Sequence, residues 1–235
     1  MEIMLLRLLT TATLLLCAGC SQRAMRQARW TLDCTMAESR LSETWNALLE
    51  ARADPKGCRL ASGVDRCEML RGEIDRLAQV CPHSEPALLA GAALAYDERQ
   101  TVKAQQLLDQ ILSAPGPHPK AAALRARIAM EEGNLPYALR FAEQRIRLAP
   151  DDAGLREVFA SALFLSGRYG DASKELSVAE RLGAPGWRVA YHRGLIAEAE
   201  GLRSEAVAAY REAMRLKPGW RPADSRLKGL EAAAP

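Results

Sequence analysis

A period of 34 residues runs through most of this sequence and constrains its fold more than any other feature. Residues of one type recur at this spacing: Gly133, Gly167 and Gly201; Ala104, Ala138, Ala172 and Ala206; Leu148, Leu182 and Leu216. Such a period is typical of solenoids, in which each repeat is one supersecondary unit that stacks on its neighbours. The sequence therefore predicts four repeats, at 85–118, 119–152, 153–186 and 187–220.

Each repeat is predicted to be a helix–turn–helix unit. The glycine ends the first helix, because a left-handed backbone is easiest for a residue without Cβ. The alanine lies where two helices cross closely, since a larger side chain would push them apart. Proline stops the second helix at positions 150 and 218. Because aromatic residues make up only 5% of the chain, a core of Ala and Leu between helices is favoured over a β-sandwich or barrel.

These units resemble tetratricopeptide repeats. The last repeat has the residues of that motif at six positions: Gly194, Gly201, Ala206, Tyr210, Ala213 and Pro218. The first repeat is the least similar, with Arg99 in place of the glycine. The resemblance covers residues 85–220 and implies an all-α solenoid of about four repeats. Because an end repeat leaves one face unpaired, we expect residues 221–235 to form a capping helix and tail.

The N-terminus has the pattern of an export sequence. Arg7 precedes an apolar run at 8–16 that is too short to span a bilayer. The small residues before Cys20 resemble the lipobox of bacterial lipoproteins. The resemblance implies that residues 1–19 are a signal peptide and that Cys20 carries acyl chains, palmitate among them. An ordinary secretory signal and an N-terminal membrane helix are the alternatives.

The residues after Cys20 bear on the location of the protein. In enterobacterial lipoproteins an Asp after the lipidated cysteine favours the inner membrane, so Ser21 implies a periplasm-facing anchor in the outer membrane. Residues 20–30 are predicted to be a lipidated tether. Its arginines either lie against acidic head groups, at about 1 kcal/mol each, or belong to a solvated linker.

Four cysteines follow the tether and predict two disulfides: Cys34, Cys58, Cys67 and Cys81. An even number of cysteines in an exported chain favours disulfides, and the absence of any C-x-x-C pair disfavours zinc. We expect two helices joined near Gly57, the second over about 64–80.

The second helix decides how these cysteines pair. It would hold Cys67 and Cys81 about 21 Å apart, too far for a bond between them. An antiparallel hairpin over 31–84 instead pairs Cys34 with Cys81 and Cys58 with Cys67. The swapped pairing would require the second helix to be broken. We expect this hairpin to stack on the first repeat.

The resemblance also implies a concave binding surface lined by the first helices. The positions that face this groove hold Tyr96, Arg127, Met130, Phe164, Arg188 and Tyr191. Such a groove suits an apolar helix or extended segment, with the arginines pairing with acidic residues of the partner. The alternative is that the aromatic residues pack between helices. The Lys-and-Asn carboxylate clamp of chaperone-binding relatives is missing.

No constellation of residues predicts catalysis. Three histidines are scattered, and there is no H-E-x-x-H, no G-x-S-x-G and no phosphate loop. We therefore expect no enzyme, no metal and no cofactor besides the covalent lipid on Cys20. The net charge of +3 gives no reason to expect a nucleic-acid partner.

Bacterial lipoproteins with such repeats include pilotins for secretins, assembly factors for outer-membrane β-barrels and proteins of pilus and secretion loci. The resemblance implies a membrane-anchored adaptor that binds a protein partner during assembly of an envelope complex. The alternative is a permanent structural subunit of an envelope complex for motility or polysaccharide export.

Overall fold

The computed structural model describes residues 34, 36–60 and 62–232, so the expected signal peptide, Cys20 and the tether lie outside the described residues. The described chain is all-α, as predicted, and contains eleven helices and no strand. The helices are α1 (Ala37–Ala53), α2 (Arg66–Val80), α3 (Glu85–Asp97), α4 (Thr101–Ser113), α5 (Pro119–Glu131), α6 (Leu135–Leu148), α7 (Ala153–Leu165), α8 (Tyr169–Arg181), α9 (Gly186–Ala199), α10 (Arg203–Leu216) and α11 (Arg221–Ala232). Within these ranges no helix combines the length and the apolarity needed to cross a bilayer.

The chain forms two compact units, with the division after Leu107 inside α4. In the N-terminal unit α1 packs against α2, and both helices contact α3. Its core consists of buried aliphatic side chains from these helices: Leu41, Leu48, Ile74, Leu77 and Leu94. The first helix of the first repeat therefore completes the core of the hairpin.

Two disulfides join the helices of this hairpin. Cys34 is bonded to Cys81 with 5.5 Å between their Cα atoms, and Cys58 to Cys67 with 5.0 Å. These are the pairs predicted from an unbroken second helix; the swapped pairing would have required that helix to be broken. The second helix begins at Arg66, because the Asp65 side chain accepts a hydrogen bond of 2.9 Å from the Glu68 N–H and so caps the helix.

Each repeat consists of two helices joined by a tight turn. The turns after α5, α7 and α9 contain the three periodic glycines, whose φ angles lie between +76° and +78°. Arg99 occupies the same place after α3 with φ +63°. The four periodic alanines are fully buried at the helix crossings. The glycines and alanines of the 34-residue period thus have the turn conformation and the burial that the sequence predicts.

The final helix, α11, covers the last repeat. Leu227 packs on Ala206 and Tyr210. The buried Tyr210 hydroxyl donates a hydrogen bond of 2.6 Å to Glu198, whose other carboxylate oxygen lies 3.2 Å from Arg226 Nη1 in α11. Burial, followed by the adjacent Glu198 carboxylate, raises the pKa of Tyr210 far above its usual value. One carboxylate thus connects α9, α10 and α11.

Candidate functional site

A cavity of about 460 Å³ opens on the first helices of the C-terminal unit. Its walls come from α5, α7 and α9, together with Trp220 at the start of α11. The lining residues are Arg127, Met130, Glu131, Glu157, Val158, Ser161, Leu165, Trp187, Arg188, Tyr191, His192 and Trp220. A concave, mostly apolar surface with a few polar groups is the usual form of a binding site.

A buried ion pair lies beside this cavity. Glu157 is only 3% exposed. Arg188 Nη2 lies 2.7 Å from its Oε2, and His192 Nε2 lies 3.5 Å from its Oε1. Since burying an unpaired carboxylate is costly, these two neighbours from the next repeat make the burial of Glu157 possible. The pairing offsets the Arg188 charge and restricts its guanidinium to one side of the cavity.

The geometry of this ion pair is incomplete. Glu157 Oε2 and Arg188 Nε have no hydrogen-bond partner among the described residues, although Nη2 lies close to Oε2. The short distance therefore reflects charge pairing without a well-aligned hydrogen bond. Ser161, one turn further along α7, uses its hydroxyl to bond the Glu157 carbonyl at 3.0 Å and leaves the carboxylate to the ion pair.

The remaining part of the cavity wall is aromatic. The Trp220 ring lies edge-on to both Trp187 and Tyr191, with 4.6 Å between ring centroids in each case. Edge-to-face pairs of this kind add about 0.5–1.5 kcal/mol each beyond their buried area. Lys217 Nζ lies 3.8 Å from the centroid of the Trp187 ring, a cation–π contact. The wall is therefore a fixed apolar surface with cations at its margin.

Four of the six predicted groove residues meet at this cavity: Arg127, Met130, Arg188 and Tyr191. Phe164 is not among the lining residues of this cavity. Its ring packs beside Tyr169, 5.7 Å between centroids, because the start of α8 supplies an aromatic partner within the same repeat. Leu165, the next residue and 55% exposed, lines the cavity instead. Tyr96 is half-buried near the end of α3 in the N-terminal unit.

Sequence reasoning placed Glu157 at a groove-facing position but missed its burial in an ion pair and the wall formed with Trp187 and Trp220. Trp187 and Tyr191 are four residues apart, so they share a helix face. Two of the four tryptophans of the chain lie in the last repeat, although aromatic residues are only 5% of the sequence. That concentration could have identified the wall, and an acidic residue inside the apolar α7 could have indicated the burial of Glu157.

One further group of possible metal ligands occurs among the described residues. The ligand atoms of Cys58, Asp65 and Cys67 lie within 4.8 Å of one another. Both cysteines are joined in the disulfide, so they offer no thiolate to a metal.

Comparison with known proteins gives matches in structure alone. No family model and no curated protein matches the sequence. A thermophilic tetratricopeptide-repeat protein of Thermus thermophilus superposes with a TM-score of 0.66 at 15% identity, over 83% of this chain and 99% of that one. The APC/C hetero-tetramer Cut9–Hcn1 gives 0.63 at 13% identity, over 70% of this chain and 33% of that one.

A third neighbour shows how widely the functions of this fold vary. Human IFIT1, as a dimer with m7Gppp-AAAA, superposes with a TM-score of 0.67 at 15% identity, over 83% of this chain and 46% of that one. One neighbour is thus part of a hetero-tetramer and another was solved with m7Gppp-AAAA. At such low identities the comparisons show the fold alone, and they agree with the helix pairs, turn glycines and buried alanines described above: the chain has the fold of tetratricopeptide-repeat proteins.

Proposed function

We propose that the chain is an interaction adaptor that binds a segment of a partner protein in the cavity of its C-terminal unit. The observation that carries this proposal is the fixed aromatic wall of Trp187, Tyr191 and Trp220 beside a buried ion pair. Aromatic residues and arginine are the side chains that contribute most to protein interfaces. The Cut9–Hcn1 neighbour, assembled with a protein, is consistent with this use of the fold.

We further propose that the adaptor is a lipoprotein, anchored through Cys20 in the outer membrane and facing the periplasm, where it takes part in assembly of an envelope complex. The lipobox-like residues before Cys20 support the anchor. The two disulfides support export, because such bonds form and persist in oxidising compartments and are rare in the cytosol.

Anchoring is tested by replacing the lipidated cysteine. Cys20→Ala should release the protein from membranes and abolish incorporation of labelled palmitate, whereas Cys17→Ala in the same signal sequence should leave both unchanged. Several acyl chains anchor stably because each buried CH₂ contributes about 0.8 kcal/mol. If Cys20→Ala remains in the membrane fraction with its label, the lipoprotein proposal is wrong.

The adaptor role is tested by photo-crosslinking in cells. A photoreactive amino acid at Ser161, in the cavity, should give a discrete crosslink to a partner. The same amino acid at Ser177, on α8 and away from the cavity, should not. If unlabelled protein that is added before irradiation removes the crosslink, the partner exchanges, which supports an adaptor. A crosslink that survives this competition shows permanent occupancy and supports the structural-subunit alternative, whereas a crosslink only at Ser177 would place binding elsewhere.

A further inference from the structure

The cations at the cavity differ in whether a carboxylate of the chain pairs with them. Arg127 is exposed and has no ion pair or hydrogen bond within the described part of the chain. Lys217 is also exposed, and its Nζ lies over the rings of Trp187 and Trp220 without an ion pair among the described residues. The Arg188 charge is met by Glu157. The lining itself holds two arginines and two glutamates, the second glutamate being Glu131, and Lys217 adds a cation at the margin of the apolar wall.

The apolar wall and the cations beside it determine which segments of a partner protein can bind in the cavity. We infer, resting on the proposed function, that the partner presents an apolar or aromatic side chain flanked by acidic residues. The apolar side chain would pack on the wall of Trp187, Tyr191 and Trp220, and the carboxylates would pair with Arg127 and Lys217. A bidentate pairing of Arg with a carboxylate has the geometry that a guanidinium favours.

The alternatives fit the same charges less well. A basic segment would bring its cations towards Arg127, Arg188 and Lys217, which disfavours its approach. An uncharged segment would leave the exposed guanidinium of Arg127 without a partner. Glu157, by contrast, acts as a positioning residue: it holds Arg188 beside Trp187, whose ring centroid lies 5.7 Å from the guanidinium. Selectivity for acidic residues should therefore depend on Arg127 more than on Arg188.

The test uses a phage-displayed library of random 12-residue peptides, panned against the purified full chain. Wild-type protein should enrich peptides in which Asp or Glu flanks an aromatic or branched aliphatic residue. Arg127→Glu should lose the acidic preference, with a roughly tenfold or greater loss of affinity for a selected peptide, because a charge-matched site becomes a repelling one. Affinity for the selected peptide should also fall as salt is raised.

Two control variants keep the result interpretable. Arg140→Glu changes the net charge equally, on an exposed arginine of the second helix α6, and should leave the selection unchanged. Leu165→Glu adds a negative charge at an exposed residue that lines the cavity, and should weaken acidic peptides as Arg127→Glu does. Both changes lie at exposed positions, so neither should unfold the protein.

The outcomes separate this inference from the proposed function. Enriched peptides without acidic bias, or an equal effect of Arg140→Glu, would overturn the inference while leaving a peptide-binding adaptor. Displacement of the selected peptide by a 12-nucleotide uridine RNA would overturn it in favour of a nucleic-acid ligand. No enrichment, together with no crosslink at Ser161, would count against the proposed function itself.

Discussion

At the scale of single residues, a positive φ angle is the reason that the turns between helices require glycine. Gly167 has φ +78°, and a Cβ added to it would meet no atom within 4 Å. Gly167→Ala should therefore destabilise the protein by about 1 kcal/mol through backbone strain alone. Gly170→Ala, three residues later and equally open, lies at the start of α8 without a positive φ. It should stabilise by up to about 1 kcal/mol because alanine favours helix.

Urea unfolding of the two glycine variants measures whether their changes in unfolding free energy have opposite signs. Equal destabilisation by both would show that the left-handed turn is not what requires glycine at position 167.

Tyr210 makes stability depend on pH. Its pKa is raised by burial and by Glu198, so the folded protein keeps the hydroxyl proton at pH values where an unfolded tyrosine, with a pKa of about 10, loses it. The free energy of unfolding should thus fall as pH rises above about 10, by up to about 1.4 kcal/mol per pH unit from this group. Tyr210→Phe should lack that part of the slope.

The measurement for Tyr210 is the difference in unfolding free energy between wild type and Tyr210→Phe from pH 8 to pH 11. Tyr169→Phe, which retains the Tyr210–Glu198 hydrogen bond, is the matched control and should keep the slope. Parallel curves for wild type and Tyr210→Phe would refute the assignment.

At the scale of helices, the two disulfides of the hairpin should contribute unequally. Cys34 and Cys81 are 47 residues apart, whereas Cys58 and Cys67 are nine apart. Because a bond that closes a longer loop removes more entropy from the unfolded chain, replacing the first pair by alanine should cost about 4 kcal/mol and the second about 2.5 kcal/mol. Hydrogen exchange in α1 and α2 measures both, with α8 as an internal reference. A larger effect from the shorter loop would contradict this entropic account.

Ala206 tests the packing between helices α9, α10 and α11. It is fully buried beside Tyr210 and Leu227. Ala206→Leu should therefore cost about 1–3 kcal/mol by overpacking, and hydrogen exchange should accelerate first in the last repeat, since a repeat contacts only its neighbours. Ala208→Leu, at an exposed position of the same helix, should have little effect. Unchanged protection across 187–220 in Ala206→Leu would mean that the repeat register is wrong.

At the scale of the whole molecule, the fold was more predictable than the site. Each turn requires a glycine and each close helix crossing requires an alanine. The 34-residue period of these residues therefore predicts the helix pairs. The hairpin could be predicted because the length of the second helix holds Cys67 and Cys81 too far apart to form a disulfide. The site depends on contacts between repeats, such as Glu157 of α7 with Arg188 of α9, and no pattern within one repeat contains that pairing. Phe164 lies outside the cavity lining, and its ring packs beside Tyr169, five residues further along the chain.

The nested order of the disulfides has a consequence for biosynthesis. On the proposed export route, a chain that emerges from its N-terminus exposes Cys34 and Cys58 to an oxidant before Cys67 and Cys81. Oxidation in order of appearance would therefore join Cys34 to Cys58 and Cys67 to Cys81, whereas the folded protein joins the outer two cysteines and the inner two. Reaching the native pairs then takes thiol–disulfide exchange, which is slow without catalysis. The yield of this protein should accordingly depend on a disulfide isomerase as well as on an oxidase.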